Sequence, residues 1–593
     1  MLSSNPRCPR PGLALLSILA AMAALAATAC APSLNGARRA NSDPAETARQ
    51  DALAMDQALA HDEARAQDNA AAVLASARST ATSVVDALPR PDWSFFPGLE
   101  AERQRDSLTR VRSDRPRPVL FVVLDTTRAD HLSAFGYHRK TSPHLEALAS
   151  EGVRFSRFYT NGAWTRPSIT TFFTSKHRHE HGVEIDQPKI LASQPTVTES
   201  FREAGYATVG IVGNQTVRAS YGFDKGFETY IDIYDELSHN PHASVLADRA
   251  IQWIDGNDNP DWFMWLMVVD AHDPYTPEAA YDKWEKDYPI REMDTPAAEY
   301  RSMPSERTVK VMQALYDAEL LQMDTALGSV FEHLRKTGQW DDLTVVVLAD
   351  HGEAFGENNC FRHPYHFWEP NVHVPLIIKS PALVGGEGKV EDRLFAGVDI
   401  APTLLDLADV PARDDLQPSG TSIAEVLAGP ITEGWDRTVY TEMDAYGLRR
   451  FMVRQGDLKY LRFLPTDVNR LAWYWHSSWE HLTTAIAPGR TELLFNLADD
   501  PTEQHNLMDE APELAASMAE ALNRFNPDAD HDGNPPTRPF TPPPTSTPED
   551  AHPDHDDAPA PKATPTTTTS AGGAAHELDD DAMDDLRSLG YVE

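Results

Sequence analysis

The chain has 593 residues, of which 90 are acidic and 52 basic, so its formal net charge is −38. A hydrophobic fraction of 41 % supports a large core and excludes a wholly disordered chain. No block rich in lysine and arginine interrupts the acidic background, which argues against a protein that binds nucleic acid. The charge favours small or neutral-bodied substrates, because a polyanion would be repelled at long range.

The first 29 residues have the pattern of a secretory signal peptide. Arg7 and Arg10 form the positive flank, Leu13–Leu25 forms the apolar stretch, and small residues precede Cys30. Small residues before a cysteine resemble a bacterial lipoprotein signal, and simple secretory cleavage nearby is the alternative. We therefore expect an exported protein on the periplasmic or outer side of a bacterial membrane, which it contacts through a lipid on Cys30.

Composition divides the chain into six segments. They are a signal peptide (1–29), an Ala- and Asp-rich tether with a polar helix (30–115), a catalytic domain (116–430), a smaller C-terminal subdomain (431–525), a disordered Pro- and Thr-rich linker (526–575) and an acidic terminal segment (576–593). The linker contains too few apolar residues to offset the entropy of ordering it.

The catalytic segment alternates apolar runs with stretches that have helical patterns. Val119–Leu124 is a continuous apolar run, which is typical of a buried parallel strand. Similar runs follow at Tyr206–Val212, Trp262–Val269, Thr344–Ala349 and Val374–Ile378. Strands that alternate with helices predict an α/β domain with a mostly parallel sheet flanked by helices. Ligands of such sheets bind beyond the carboxyl ends of the strands.

The C-terminal subdomain has shorter alternating segments. Arg450–Val453 and Leu458–Phe463 predict a hairpin that turns through Gln455-Gly456-Asp457. A helix is predicted at Pro512–Phe525, which gives an α+β subdomain.

Two carboxylates follow strands that are far apart in sequence. Asp125 ends the first strand, and Asp350 ends the strand at Thr344–Ala349 and is followed directly by His351. Carboxylate oxygens and an imidazole nitrogen are suitable ligands for a divalent cation. Either aspartate alone is more often a cap or loop residue, so the prediction depends on the two meeting at one edge of the sheet.

A third segment, Gly162-Ala163-Trp164-Thr165-Arg166-Pro167-Ser168, completes a pattern that resembles the sulfatase family of the alkaline phosphatase superfamily. The motifs that follow in the family's order are Gly205–Thr208, Asp270–Tyr275, Asp350–Glu353, Val374–Ile378, Asp399–Thr403 and Leu494–Pro501. The resemblance covers about Val119 to Phe525. It implies an alkaline phosphatase-like α/β fold and an esterase that uses a divalent metal ion.

The sequence departs from the family pattern at the nucleophile. Sulfatases generally carry Cys or Ser there, within C/S-x-P-x-R, and convert it to formylglycine, whereas this chain has Thr165 and has Ile169 in place of the arginine. Threonine cannot form that aldehyde. The Thr-x-Pro pattern instead resembles the phosphodiesterase and phosphonate-hydrolase side of the superfamily, where an unmodified threonine attacks directly. Thr126 replaces the usual second aspartate, and His351 stands where many sulfatases have asparagine.

The resemblance assigns roles to individual residues. Its implied metal ligands are Asp125, Thr165, Asp350 and His351, and its implied catalytic residues are Thr165, His272 and His363. Asn214 matches a position that contacts the substrate. In the alternative interpretation, a second metal site is formed by Asp270, His272 and His363, as in two-metal relatives. The metal is Mn, Zn, Ca or Mg.

The expected activity is therefore metal-dependent hydrolysis of a phosphate-type or sulfate ester through a covalent intermediate on Thr165. The substrate is a small molecule or an ester of a glycan or lipid. A sulfatase proper, a phosphoglycerol or phosphoethanolamine transferase and a non-catalytic binding protein are the alternatives. The histidines at 177, 179 and 181 are interpreted as structural, and Cys360 has no assigned role.

Overall fold

The computed structural model describes residues 109–110, 117–184, 187–237, 239–284, 306–363, 366–428, 437–445, 448–465 and 491–529. All of them belong to one compact unit, Pro91–Glu593. The predicted signal peptide with Cys30, nearly all of the tether, and the linker and terminal segment beyond residue 529 lie outside the described residues and stay predictions. No helix within the described residues combines the length and apolar character needed to cross a membrane.

An eight-stranded sheet forms the centre of the catalytic domain. In chain order its strands are β1 (Val119–Leu124), β2 (Val153–Phe155), β3 (Ala207–Val212), β4 (Thr229–Asp232), β5 (Trp262–Val268), β6 (Thr344–Ala349), β7 (Leu376–Lys379) and β8 (Lys389–Glu391). Their order across the sheet is β8-β2-β7-β6-β1-β5-β3-β4. Every residue of β1, β5 and β6 is buried, as the continuous apolar runs predicted.

The sheet is mostly parallel, which confirms the predicted fold class. Strands β6, β1, β5, β3 and β4 run in one direction and place their carboxyl ends at one edge. The prediction was wrong for the last apolar run, because β7 is antiparallel to both of its neighbours, β2 and β6. A buried strand presents the same apolar pattern in either direction, so the run at Val374–Ile378 did not reveal its orientation.

Helices cover the sheet on both sides. They are α1 (Pro143–Ser150), α2 (Thr165–Thr174), α3 (Arg178–His181), α4 (Val197–Glu203), α5 (Ile233–Leu237), α6 (Ala243–Gly256), α7 (Glu306–Lys336), α8 (Glu369–Val372), α9 (Ile400–Ala408) and α10 (Ile423–Ala428). The long helix α7 packs on α1 and α6. Its buried polar side chains reach the loops that follow β1 and β5, and these loops carry the candidate site.

The C-terminal subdomain is a four-stranded antiparallel sheet with one long helix. Its strands are β9 (Thr438–Ala445), β10 (Leu448–Gln455), β11 (Leu458–Pro465) and β12 (Glu492–Asn496), and its helix is α11 (Pro512–Phe525). The predicted hairpin is β10–β11, in which Gly456 provides the positive φ of +54° in the turn. Buried Lys459 of β11 binds Glu369 of the catalytic domain and Glu503, at 2.8 and 2.7 Å.

Candidate active site

The carboxyl ends of four adjacent strands carry the candidate residues. Asp125 follows β1 and Asp350 follows β6, while Asn214 lies shortly after β3 and His272 after β5. The backbone N–H of Asp125 donates to Val268 at 2.9 Å, which extends the pairing of β1 with β5 by one residue. The strand order therefore brings together side chains that are up to 225 residues apart in the chain.

Asp125, Asp350, His351 and Thr165 converge on one point inside the protein. His351 Nε2 lies 3.6 Å from Asp125 Oδ1 and 3.5 Å from Asp350 Oδ2. The hydroxyl oxygen of Thr165 lies 3.4 Å from the same nitrogen. All four residues have a solvent exposure of 0 %. The four ligands implied by the family resemblance thus form one cluster.

Each carboxylate has one oxygen that is hydrogen-bonded and one that is not. Asp125 Oδ2 accepts from Asn214 at 2.5 Å, and Asp350 Oδ1 accepts from the backbone N–H groups of His351 and Thr126 at 2.8 and 3.3 Å. Asp125 Oδ1 and Asp350 Oδ2 are buried and have no hydrogen-bond partner among the described residues. Since a buried carboxylate oxygen without a partner is costly, these two atoms are suited to binding a positively charged group.

The tautomer of His351 fits the same conclusion. His351 Nδ1 lies 3.0 Å from the carbonyl oxygen of Gly352, which can only accept, so Nδ1 carries the proton and Nε2 keeps a lone pair. Burial lowers the pKa of His351, which keeps the ring neutral. Its lone pair and the two free carboxylate oxygens form a donor set suited to a divalent cation.

The electrostatics of the cluster suit a bound cation. Burial, followed by the charge of Asp350, raises the pKa of Asp125 to about 6. Burial raises the pKa of Asp350 to about 7. A divalent cation between the two carboxylates would reverse both shifts, because it favours their ionised forms.

Thr165 is the first residue of α2, a helix whose ten residues are all buried. The turn before it is braced by Ser168, whose hydroxyl donates to the carbonyl of Gly162 at 3.2 Å and accepts from Thr160 at 3.1 Å. A Cβ at residue 162 would lie only 3.1 Å from the Ser168 hydroxyl oxygen, so glycine suits this close approach. The start of a helix also favours negative charge, which suits an attacking oxygen and an anionic ester.

His272 and His363 lie beside this cluster. The ring of His363 is 4.2 Å from that of His351 and 5.1 Å from that of His272. His272 Nδ1 donates to the carbonyl of Asp273 at 2.6 Å, so Nδ1 carries a proton. Burial, and then the neighbouring histidines, lowers the pKa of His363 well below its ordinary value. The rings of His272, His363 and His351 therefore form a row beside the cluster.

Asp270 does not join these histidines, which disfavours the alternative of a second metal site there. Its carboxylate accepts from the backbone N–H of Ala243 and from Gln322 Nε2 at 3.1 Å. It instead groups with His242 and Glu319, whose ligand atoms lie within 4.8 Å of one another. Gln322 Nε2 is 2.6 Å from His242 Nδ1 and 3.3 Å from Glu319 Oε2, so an amide already lies at the centre of this second group.

This second group predicts a pH-dependent stability. Burial, and then the charge of Asp270, raises the pKa of Glu319 to about 8. The contribution of Glu319 to the free energy of unfolding is therefore fully present below its unfolded pKa of roughly 4.3. It is lost as the pH rises through the pKa in the folded protein. We expect the free energy of unfolding to fall between about pH 4 and pH 8, and to fall less in Glu319→Gln. Urea denaturation across this range measures both slopes, and equal slopes would contradict the assignment.

The other candidate residues have structural contacts. His179 Nδ1 lies 2.6 Å from Glu442, His181 Nδ1 accepts from the backbone of Val183 at 2.9 Å, and the ring of His177 packs edge-on against Phe525. Cys360 is buried, and its sulfur accepts from Trp368 Nε1 at 3.2 Å.

Two site residues were not assigned from the sequence. Glu353 lies in the quoted Asp350–Glu353 motif, and its Oε1 is 3.0 Å from His363 Nδ1. Tyr316 of α7 donates to the carbonyl of Thr126 at 2.8 Å and accepts from the backbone N–H of Arg128 at 2.9 Å. These bonds hold Thr126 at φ +49°, an uncommon conformation for a β-branched residue. The Asp350–Glu353 motif could have identified Glu353 as a site residue, whereas nothing in the sequence links Tyr316 to Thr126.

A mostly parallel α/β sheet with a buried hydroxyl, two carboxylates and three histidines at its carboxyl edge defines an alkaline phosphatase-like ester hydrolase. The sulfatase family model matches residues 117–410, and the model of the N-sulphoglucosamine sulphohydrolase C-terminal region matches residues 356–474. The chain belongs to the sulfatase family.

Individual relatives are distant. The N-acetylglucosamine-6-O-sulfatase of Bacteroides thetaiotaomicron is 22 % identical over 497 residues, which cover 67 % of this chain and 86 % of the relative. The phosphatidylethanolamine transferase Mcr-1 of Escherichia coli is 27 % identical over 330 residues, which cover 52 % of this chain and 57 % of the relative. The crystal structure of a phosphonate monoester hydrolase of Agrobacterium radiobacter superposes with a TM-score of 0.57 at 20 % identity, over 70 % of this chain and 96 % of that chain. This last similarity supports the fold.

Proposed function

We propose that this hydrolase cleaves phosphate-type esters through a covalent intermediate on Thr165, with a divalent cation held by Asp125, Asp350 and His351. The convergence of the Thr165 hydroxyl with two partnerless carboxylate oxygens and a neutral imidazole nitrogen carries this proposal. Sulfate esters are the second candidate class, which the family membership favours.

The chemistry follows from the positions of the residues. A bound divalent cation lowers the pKa of a neighbouring hydroxyl and stabilises negative charge on the transferred group. The Thr165 hydroxyl gives up its proton as its oxygen attacks the phosphorus atom, and the leaving alkoxide takes up a proton and departs as the alcohol, so that no net proton is consumed. Water then cleaves the Thr165 ester and restores the hydroxyl. His272 and His363 bind the anionic oxygens or protonate the leaving oxygen, because the ring of His363 packs against that of His351 and the ring of His272 packs against that of His363.

The identity of the nucleophile favours phosphate over sulfate. A formylglycine hydrate can expel sulfate by re-forming its aldehyde, without attack at sulfur. Thr165 has no second oxygen on its Cβ and lacks this route, so water must attack the central atom of the intermediate. An unmodified hydroxyl therefore suits a phosphoryl or phosphonyl group.

A substrate panel tests the proposal. Aryl phosphate monoesters and diesters, aryl phosphonates and aryl sulfates are assayed with the metal-free protein after addition of Mn²⁺, Zn²⁺, Ca²⁺ or Mg²⁺. We expect turnover of a phosphate or phosphonate ester that depends on one of these ions. Turnover of the sulfates alone would instead establish a sulfatase proper, and no turnover of any ester would favour a binding protein.

A phosphoryl-group transferase is a further candidate, supported by the similarity to the phosphatidylethanolamine transferase. The same intermediate on Thr165 would then pass to an alcohol instead of water. Adding ethanolamine or glycerol to the phosphodiester assay distinguishes the two, because a transferase forms a new ester with the added alcohol whereas a hydrolase releases only the free acid.

A further inference from the structure

Asn214 is completely buried and lies directly before the short helical turn Gln215–Val217. Its Oδ1 accepts from both the backbone N–H and the hydroxyl of Thr216, each at 2.7 Å. Because a backbone N–H can only donate, the oxygen of the amide must face Thr216. The amide nitrogen is then fixed on the other side, where it donates to Asp125 Oδ2 at 2.5 Å.

This bond makes the two oxygens of Asp125 different. Oδ2 is held by Asn214, and Oδ1 is left without a partner among the described residues, 3.6 Å from His351 Nε2. An Asp125 side chain without this donor can rotate and present either oxygen. The amide of Asn214 therefore selects the oxygen that faces the cluster.

The same turn is connected to the nucleophile. The carbonyl of Thr216 accepts from Arg166 Nε at 2.7 Å, and Arg166 directly follows Thr165. The Arg166 guanidinium is buried and lies 3.9 Å from the ring centroid of Tyr221, which fixes its position. One short turn thus holds both Asp125 and the start of α2.

We infer that Asn214 is a positioning residue for the cation site, which orients Asp125 through its amide, rather than a residue that contacts the ester. This inference rests on the proposed cation site. It replaces the substrate contact expected from the family resemblance. Groups that orient metal ligands typically change the metal affinity by about 10- to 100-fold when they are removed.

The test is the affinity of the metal-free protein for Mn²⁺, measured by isothermal titration calorimetry. Asn214→Leu keeps the approximate size of the side chain and removes its donor. Asn214→Ser keeps an acceptor for the Thr216 N–H but is too short to reach Asp125. We expect both variants to bind Mn²⁺ about 10- to 100-fold more weakly, while KM for the ester at saturating Mn²⁺ stays within about twofold.

Asn526→Leu is the matched control. Asn526 is also buried, accepts from the N–H two residues on at 3.0 Å and donates to a buried carboxylate, Glu442, at 2.7 Å, but it directly follows α11 of the C-terminal subdomain. We expect its Mn²⁺ affinity to equal that of the wild type. Thermal denaturation of each variant verifies folding.

The outcomes separate the inference from the function on which it rests. Unchanged Mn²⁺ affinity in folded Asn214→Leu and Asn214→Ser, with a raised KM, would overturn the positioning role and establish a substrate contact. A wild-type protein that binds none of Mn²⁺, Zn²⁺, Ca²⁺ and Mg²⁺ would overturn the cation site itself and the inference with it.

Discussion

The variant Thr165→Ala is expected to lose turnover by a factor on the order of 10³ or more, because it removes the attacking oxygen. The fold should stay intact, since alanine is well accommodated in a helix. The measurement is kcat for the best ester of the panel, together with the midpoint of thermal unfolding. Full activity would contradict the assignment of the nucleophile.

Two further variants sharpen this test. Thr165→Ser should keep part of the activity, because it retains a hydroxyl near His351. Thr174→Ala is the control: Thr174 is a buried threonine at the other end of α2, and its hydroxyl donates to the carbonyl of Thr170 at 2.7 Å. It should lose stability without a comparable loss of kcat.

The variant Asp350→Asn is expected to lose both the bound cation and activity. The substitution keeps the shape of the side chain but removes its charge, and the partnerless Oδ2 is a proposed ligand atom. We expect Mn²⁺ to bind at least about 100-fold more weakly and activity at low Mn²⁺ to fall in parallel. Elemental analysis of the purified protein and calorimetric titration measure the loss of the cation, and kcat at low Mn²⁺ measures the loss of activity.

Asp324→Asn is the matched control for this substitution. Burial also raises the pKa of Asp324 to about 7, but its carboxylate accepts from the backbone of His144 and Leu145, both at 2.9 Å, away from the cluster. This variant should change stability and leave the cation affinity as it is. Equal occupancy in Asp350→Asn and the wild type would show that Asp350 is not a ligand.

Five of the eight strands of the sheet were predictable because their sequences are almost entirely apolar, whereas the short strands β2, β4 and β8 contain charged or polar residues and were not predicted. Val119–Leu124 and Thr344–Ala349 form strands with the predicted bounds, since an uninterrupted apolar run has no other stable place in an α/β domain. The direction of β7 was not predictable, because burial on both faces does not encode direction.

The cluster of Asp125, Asp350 and His351 was predictable for a related reason. Residues that follow adjacent parallel strands meet at one edge, so the chain positions alone placed these side chains together. The role of Asn214 depends on its bond to Asp125, which spans 89 residues, and the bond from Tyr316 to Thr126 spans 190 residues. Contacts of this kind arise from tertiary packing and have no local pattern.

A covalent intermediate on Thr165 would change the mass of the peptide that contains this residue. The enzyme is quenched with acid during turnover of an aryl phosphate ester, digested and analysed by mass spectrometry. We predict that the Thr165 peptide gains the mass of the transferred phosphoryl group, and that Thr165→Ala shows no such gain. A modified peptide that lacks Thr165, or a wild-type Thr165 peptide that stays unmodified throughout turnover, would contradict the account.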